Sequence, residues 1–83
     1  MDILKYPLST EKAIRMIESD NIITFIVDIR ASRSSIKKEI EKRFNVKVKK
    51  ISISITPKGK KKAYLKLNED YPAIDIATRL GLM

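Results

Sequence analysis

Ile22-Ile23-Thr24-Phe25-Ile26-Val27-Asp28-Ile29 is the stretch on which the fold turns. Its alternation puts Ile23, Phe25, Val27 and Ile29 on one side of a strand and Ile22, Thr24, Ile26 and Asp28 on the other. Both sides are largely apolar, so this strand is predicted to lie inside a sheet rather than at its edge. Asp20-Asn21 precedes it as a turn. Further upstream, Ser9 is the expected N-cap of a helix over residues 10–19, with Ala13, Ile14 and Ile17 on its inner face. Residues 2–6 read as a short extended piece closed by Pro7, which keeps Tyr6 out of the helical region.

Downstream, Ser32 is the expected N-cap of a second helix in which Ile36, Ile40 and Phe44 recur every four residues as a narrow apolar stripe. Its outer face mixes Lys37, Lys38, Glu39, Glu41, Lys42 and Arg43 and reads as a solvated surface. Asn45 suits the left-handed position after a helix. Residues 46–55 alternate again, but the phase slips by one at Lys49-Lys50, which predicts a bulge or a late strand start. Thr56-Pro57-Lys58-Gly59-Lys60 supplies a turn. Lys61 to Leu67 returns as a strand with Ala63, Leu65 and Leu67 inward and Tyr64 and Lys66 outward. Pro72 suits the first turn of a last helix, with Ala73, Ile76, Ala77 and Leu80 facing the core and Gly81 stopping it.

The element order is therefore β-α-β-α-β-β-α. The second helix is long enough to make the strands on either side of it parallel through a right-handed crossover. The last strand can insert between them, a split β-α-β arrangement. The expected fold is a small α+β sandwich formed by residues 1–83 as one domain: a mainly antiparallel sheet with helices packed mainly on one face.

Composition excludes much chemistry. The 83 residues contain no Cys and no His. That removes thiol nucleophiles, disulfides, imidazole bases and the common soft metal ligands. Gly59 and Gly81 are the only glycines, too few for a phosphate-cradling loop. Glu69-Asp70 precedes the last helix and reads as support for its N-terminus. No enzyme activity, cofactor, metal or small-molecule substrate is expected. No apolar run approaches the roughly 18 residues of a membrane span, and the acidic residue beside Met1 does not suit a signal peptide. A cytoplasmic protein without membrane insertion is expected.

Charge location says more than charge total. The chain carries 18 Lys+Arg against 10 Asp+Glu, a net +8. Eight of the basic residues, Lys47, Lys49, Lys50, Lys58, Lys60, Lys61, Lys62 and Lys66, fall between Val46 and Leu67, where there is no acidic residue. The remaining 61 positions sum to zero. Solubility alone favours mixed signs, so this segregation points to a polyanion, either nucleic acid or an anionic surface. The lysines sit on a strand pattern rather than an amphipathic helix, which favours nucleic acid over membrane. Lysine is a flexible point charge suited to phosphates, whereas base readout favours arginine forks. With no Trp and five scattered aromatics, an aromatic stacking platform is not expected. The prediction is a lysine-tipped hairpin that recognises folded RNA by its backbone shape.

Three stretches carry a family resemblance. Pro7-Leu8-Ser9-Thr10-Glu11-Lys12-Ala13 resembles the P-x-[VI]-[ST]-E-K-A opening of the large-subunit ribosomal protein L23 family. Residues 35–48 are similar to that family's central helix and following strand, and Lys60-Lys61-Lys62-Ala63-Tyr64-Leu65-Lys66-Leu67 resembles its hairpin return. The matches occur in the family's order and span residues 5–83. The resemblance implies a ribosome-bound protein that meets large-subunit rRNA beside the exit of the polypeptide tunnel, among neighbouring ribosomal proteins. It also implies a docking platform for the signal recognition particle and the protein-conducting channel. Carried onto this chain, the rRNA-binding candidates are Lys58, Lys60, Lys61 and Lys62 of the hairpin, Lys49 and Lys50 of the preceding strand, Lys5 and Lys12 beside the opening motif, and Arg33 at the second helix. Glu11 matches the family glutamate that receives a chaperone in bacterial members. A charge in a first turn also stabilises the helix by itself. Bacterial members carry a long basic loop where this chain has only Pro57-Lys58-Gly59, so no finger into the tunnel is implied. The terminal helix resembles archaeal members.

Overall fold

The computed structural model describes residues 2–82. In chain order the elements are β1 (Leu4–Pro7), α1 (Glu11–Asp20), β2 (Ile22–Val27), α2 (Arg33–Phe44), β3 (Val48–Ile55), β4 (Lys61–Leu67) and α3 (Ala73–Arg79). The four strands form one sheet in the order β1-β2-β4-β3. Each neighbouring pair is antiparallel, so β2 and β3, on either side of β4, point the same way. This is the split β-α-β arrangement expected from the sequence, and β2 is internal as its two apolar faces require.

Parity along the strands sorts side chains between two very different faces. Ile23, Phe25 and Val27 of β2 share one face with Ala63 and Leu65 of β4, with Ile51 and Ile53 of β3, and with Leu4 of β1. On that face Ile17 from α1, Ile36, Ile40 and Phe44 from α2, and Ala73, Ile76 and Ala77 from α3 complete one apolar cluster. The three helices together therefore seal the core side of the sheet. A chain this short buries only roughly 60–65% of its unfolded surface, so its stability is marginal and losses from this cluster weigh heavily.

Backbone polar groups explain where elements begin and end. Thr10, not Ser9, caps α1: its Oγ1 accepts the Ala13 N–H at 3.2 Å. The chain stays extended through Leu8, whose N–H donates to the Thr24 carbonyl at 2.9 Å, and this delays the helix by one residue. Ser32 caps α2 as expected, reciprocally with Ser35. β2 stops at Val27, two residues short of the expected end, because Asp28 turns the chain. The Asp28 carboxylate accepts the Arg30 N–H at 2.8 Å and its carbonyl accepts the Ala31 N–H at 2.9 Å. Ile29, expected to continue the strand on the side of Ile23, Phe25 and Val27, is consequently exposed. β3 starts at Val48 after left-handed Asn45 (φ 54°), with the register shift between Val48 and Lys50 that the slipped alternation predicts. Glu41 Oε2 accepts the Val48 N–H at 2.9 Å at that irregularity.

Asn21 does more than the turn expected of it. It is left-handed (φ 57°) at the end of α1. Its Nδ2 reaches the carbonyls of Leu67, Asn68 and Tyr71 at 3.2–3.3 Å, and its Oδ1 accepts the Ala73 N–H at 2.6 Å. Pro72 makes no side-chain cap for α3, so Asn21 caps that helix from across the fold. Glu69 and Asp70, expected to serve this N-terminus, are exposed in the turn before it.

Candidate nucleic-acid interface

The face of the sheet opposite the helices is built from three cross-strand rows. Ile26, Lys62 and Ser54 form one, Thr24, Tyr64 and Ser52 the next, and Ile22, Lys66 and Lys50 the last. Ile26 and Thr24 are buried, while the β4 and β3 members are half-buried or exposed. Tyr6 of β1 extends the first row beside Ile26, so the accessible polar part of this face is lysines, serine hydroxyls and the two tyrosines Tyr6 and Tyr64. Among the described residues the ion pairs are Lys5–Asp28, Arg15–Glu11, Arg30–Asp28 and Arg43–Glu39, so Lys50, Lys62 and Lys66 have no carboxylate partner there. Lys50 and Lys66 are direct cross-strand partners. Like charges in that position cost a few tenths of a kcal/mol, up to about 1, so the pair works against folding and suits an anion laid across the face.

The structure divides the sequence-derived candidates. Lys12, on the first turn of α1, shares a small recess of about 60 Å³ with Lys62, Tyr64 and Thr24 and so extends the open face. Lys50 and Lys62 lie on it. Lys49 sits at the adjoining irregularity of β3 and is exposed. Lys58 and Lys60 lie in the hairpin turn at one end, where the Thr56 carbonyl accepts the Gly59 N–H at 2.9 Å. Gly59 takes the positive φ of 81° this turn needs. The other three stand apart. Lys61 has the opposite parity, and its Nζ donates to the Ala31 carbonyl at the start of α2. Lys5 is drawn to Asp28 at 3.7 Å. Arg33 is exposed at the start of α2, in the helical layer. Lys66, Ser52, Ser54 and Tyr64 were not among the candidates. The alternation of β4 already pointed Tyr64 and Lys66 outward, and this was the signal that could have found them.

Glu11 is almost fully exposed at the start of α1 and pairs with Arg15 at 3.1 Å. Such a pair is screened and adds little to stability.

Asp28 is the one buried carboxylate among the described residues. Arg30 grips it through Nε at 3.1 Å and Nη2 at 3.2 Å. The guanidinium bonds, then the Arg30 N–H bond, and the nearby Arg30 and Lys5 charges hold this carboxyl far below its ordinary value of 3.8, against the opposing effect of burial. A carboxyl more acidic in the folded chain than in the unfolded one contributes stability above the unfolded value, and the contribution fades as pH falls below it. The Asp28→Asn variant should therefore melt below the parent at pH 7. The difference should narrow as pH is lowered from about 5 towards 2.5, because all other carboxyls titrate alike in both proteins. Melting curves across that range check it; a gap that stays constant would mean the Asp28 charge is not what holds the turn.

Set against known protein families, the chain matches the family model described as Ribosomal protein L23 over residues 2–73. The matched span runs from before β1 to the first residue of α3, so it contains the whole sheet, the hairpin and the open basic face.

Proposed function

The chain belongs to the ribosomal protein L23 family, a family of structural constituents of the large ribosomal subunit and not of enzymes, and on that premise we propose that its open sheet face binds large-subunit rRNA. The observation that carries this is the pairing of Lys50 with Lys66 beside Lys62 on the sheet face opposite the core, which α1 meets only beside Thr24, Lys62 and Tyr64. Lysines at strand spacing meet successive phosphates, and the Ser52, Ser54 and Tyr64 hydroxyls between them suit phosphate and ribose oxygens. Lys12 and the hairpin lysines Lys58 and Lys60 extend the contact at two ends, with Lys49 beside them. Lys5, Lys61 and Arg33 are secondary contacts, since each lies off this face. The resemblance supports a site next to the tunnel exit and among other ribosomal proteins. It also supports a docking role towards the signal recognition particle and the protein-conducting channel, with exposed Glu11 as a contact residue.

The test is a salt titration of binding to large-subunit rRNA in the presence of excess tRNA. With about six phosphates neutralised, the log–log slope should be roughly −4 to −5, and binding should survive the tRNA at moderate salt. Binding erased by tRNA would reduce the chain to a general polyanion binder and sink the reading.

A further inference from the structure

At the hairpin end of the open face, the sheet leaves a groove of about 440 Å³ between β1 and the turn. Its apolar lining is Tyr6, Leu8, Ile26 and Pro57, and Lys58 and Lys62 stand at its rim. No acidic residue lines it. The volume lies within the roughly 300–1,000 Å³ of small-ligand sites. On the other side of Tyr6 is a second groove that includes Asp28 and Arg30, where the carboxylate already neutralises part of the charge. The purely basic groove is the one that complements an anion.

Tyr6 decides what kind of anion. Its side chain, in a residue 43% exposed, lies on the open face as the partner of Ile26. Lys60 Nζ donates to its phenol oxygen at 2.9 Å and lies 5.5 Å from the ring centre. That second distance is nearly the hydrogen bond plus the span from phenol oxygen to ring centre. Nζ therefore sits along the C–O axis, close to the ring plane, and not over a ring face. The ring is anchored at its edge by a cation while its faces stay clear of it. An aromatic ring tethered at its hydroxyl at the margin of a lysine-lined surface, with apolar walls beside it, matches an unstacked base with phosphates on either side.

We propose that this groove seats one unpaired nucleotide of the RNA, its base against Tyr6 and its flanking phosphates on Lys58 and Lys62. The proposal rests on the open face being the RNA-binding face. It assigns base contact to a chain whose other contacts are to the backbone.

The probe is the large-subunit rRNA fragment that the parent protein binds, with base-specific chemical modification as readout. Tyr6→Leu should weaken binding by about 5- to 150-fold, the range for loss of one base–aromatic stack, and should leave the salt slope unchanged because no charge is lost. One base protected in the parent complex should become reactive. Tyr6→Phe keeps the ring and loses only the Lys60 bond, so it should stay within about threefold of the parent. An abasic nucleotide at the protected position, tested with unaltered protein, should cost as much as Tyr6→Leu, which keeps the test valid even if the leucine variant does not fold. Parent-like binding by Tyr6→Leu, or an abasic site without effect, overturns the proposal. So does a parent complex in which no base is protected, as expected if the groove instead receives a segment of a neighbouring protein. The Lys50, Lys62 and Lys66 substitutions described below separate the two levels. If they fail to weaken binding, the open-face reading falls; if they weaken it while Tyr6→Leu does not, only the nucleotide site falls.

Discussion

Replacing Lys50, Lys62 and Lys66 together by glutamine is expected to weaken binding to large-subunit rRNA by about 10²-fold at 0.15 M salt, while thermal unfolding stays level or shifts slightly upward. The estimate follows from counterion release. Each lysine that neutralises a phosphate releases roughly 0.9 of a condensed counterion, worth about fivefold at that salt, so three together approach 10². The log–log salt slope should become shallower by roughly 2–3 in the same variant. Stability should not suffer, because the substitution removes the repulsion between Lys50 and Lys66, which face each other across β3 and β4. Glutamine keeps most of the aliphatic stem that half-buried Lys62 and Lys66 lay on the sheet, and Lys50 is exposed. A matched control places the same charge change on α2, at Lys37, Lys38 and Lys42, which are exposed in the helical layer. It should cost only a small fraction as much. Equal losses from both triples would mean that binding follows net charge and that no particular face is used. The hairpin run Lys60-Lys61-Lys62 is a poorer test than its sequence suggests. Lys61 bonds the Ala31 carbonyl and Lys60 the Tyr6 hydroxyl, so changing the run alters the fold and the interface at once.

The second large effect concerns stability. Asn21→Ala should destabilise the chain by about 2–4 kcal/mol, from placing a Cβ residue without a compensating side chain in the left-handed region and losing the cap and carbonyl bonds. For a chain of this length the whole stability is on the order of 4–12 kcal/mol, so the midpoint should fall by on the order of 10–25 °C. Two further substitutions separate the causes. Asn21→Gly accepts the backbone angle but makes none of the four side-chain bonds, so it should recover only part of the loss. Asn45→Ala tests the same left-handed geometry (φ 54°) where, among the described residues, the side chain makes no hydrogen bond, and should cost only about 1–2 kcal/mol. Chemical denaturation of the three variants checks the order. Equal losses at Asn21 and Asn45 would show that backbone strain alone explains Asn21 and that its bonds to the β4–α3 connection contribute nothing.

The reading of individual elements explains where sequence suffices. β4 was legible because it alternates without interruption and β2 because it is a strand-length run apolar on both faces, and both are local properties of the chain. Ser32 and Asn45 were legible for the same reason, since a cap or a left-handed residue acts within one turn. The ends of β2 and β3 were less so. Asp28 stops β2 early by taking the Arg30 N–H onto its carboxylate, and Glu41 reaches from α2 to the start of β3; neither bond shows in the apolar pattern. Within the candidate interface, the concentration of lysines between Val46 and Leu67 was plain, but which lysines act together was not. Position along the strand turned Lys62 and Lys66 to the open face and Lys61 to the other. Lys12 joined them from a helix 50 residues away in the chain.

The sequence by itself therefore determined the element order, the buried stripes, the excluded chemistries and the basic segment, because periodicity and composition are carried by neighbouring residues. Only the tertiary structure decided which face of the sheet stays open, which lysines share it, that Asn21 caps α3, and that Tyr6 meets Lys60. Each of those depends on a strand order, or on a contact such as Asn21–Ala73 and Tyr6–Lys60 between residues some 50 positions apart. Such a meeting is set by the order of the strands in the sheet and by how the helices pack on it, and no local pattern of residues encodes it.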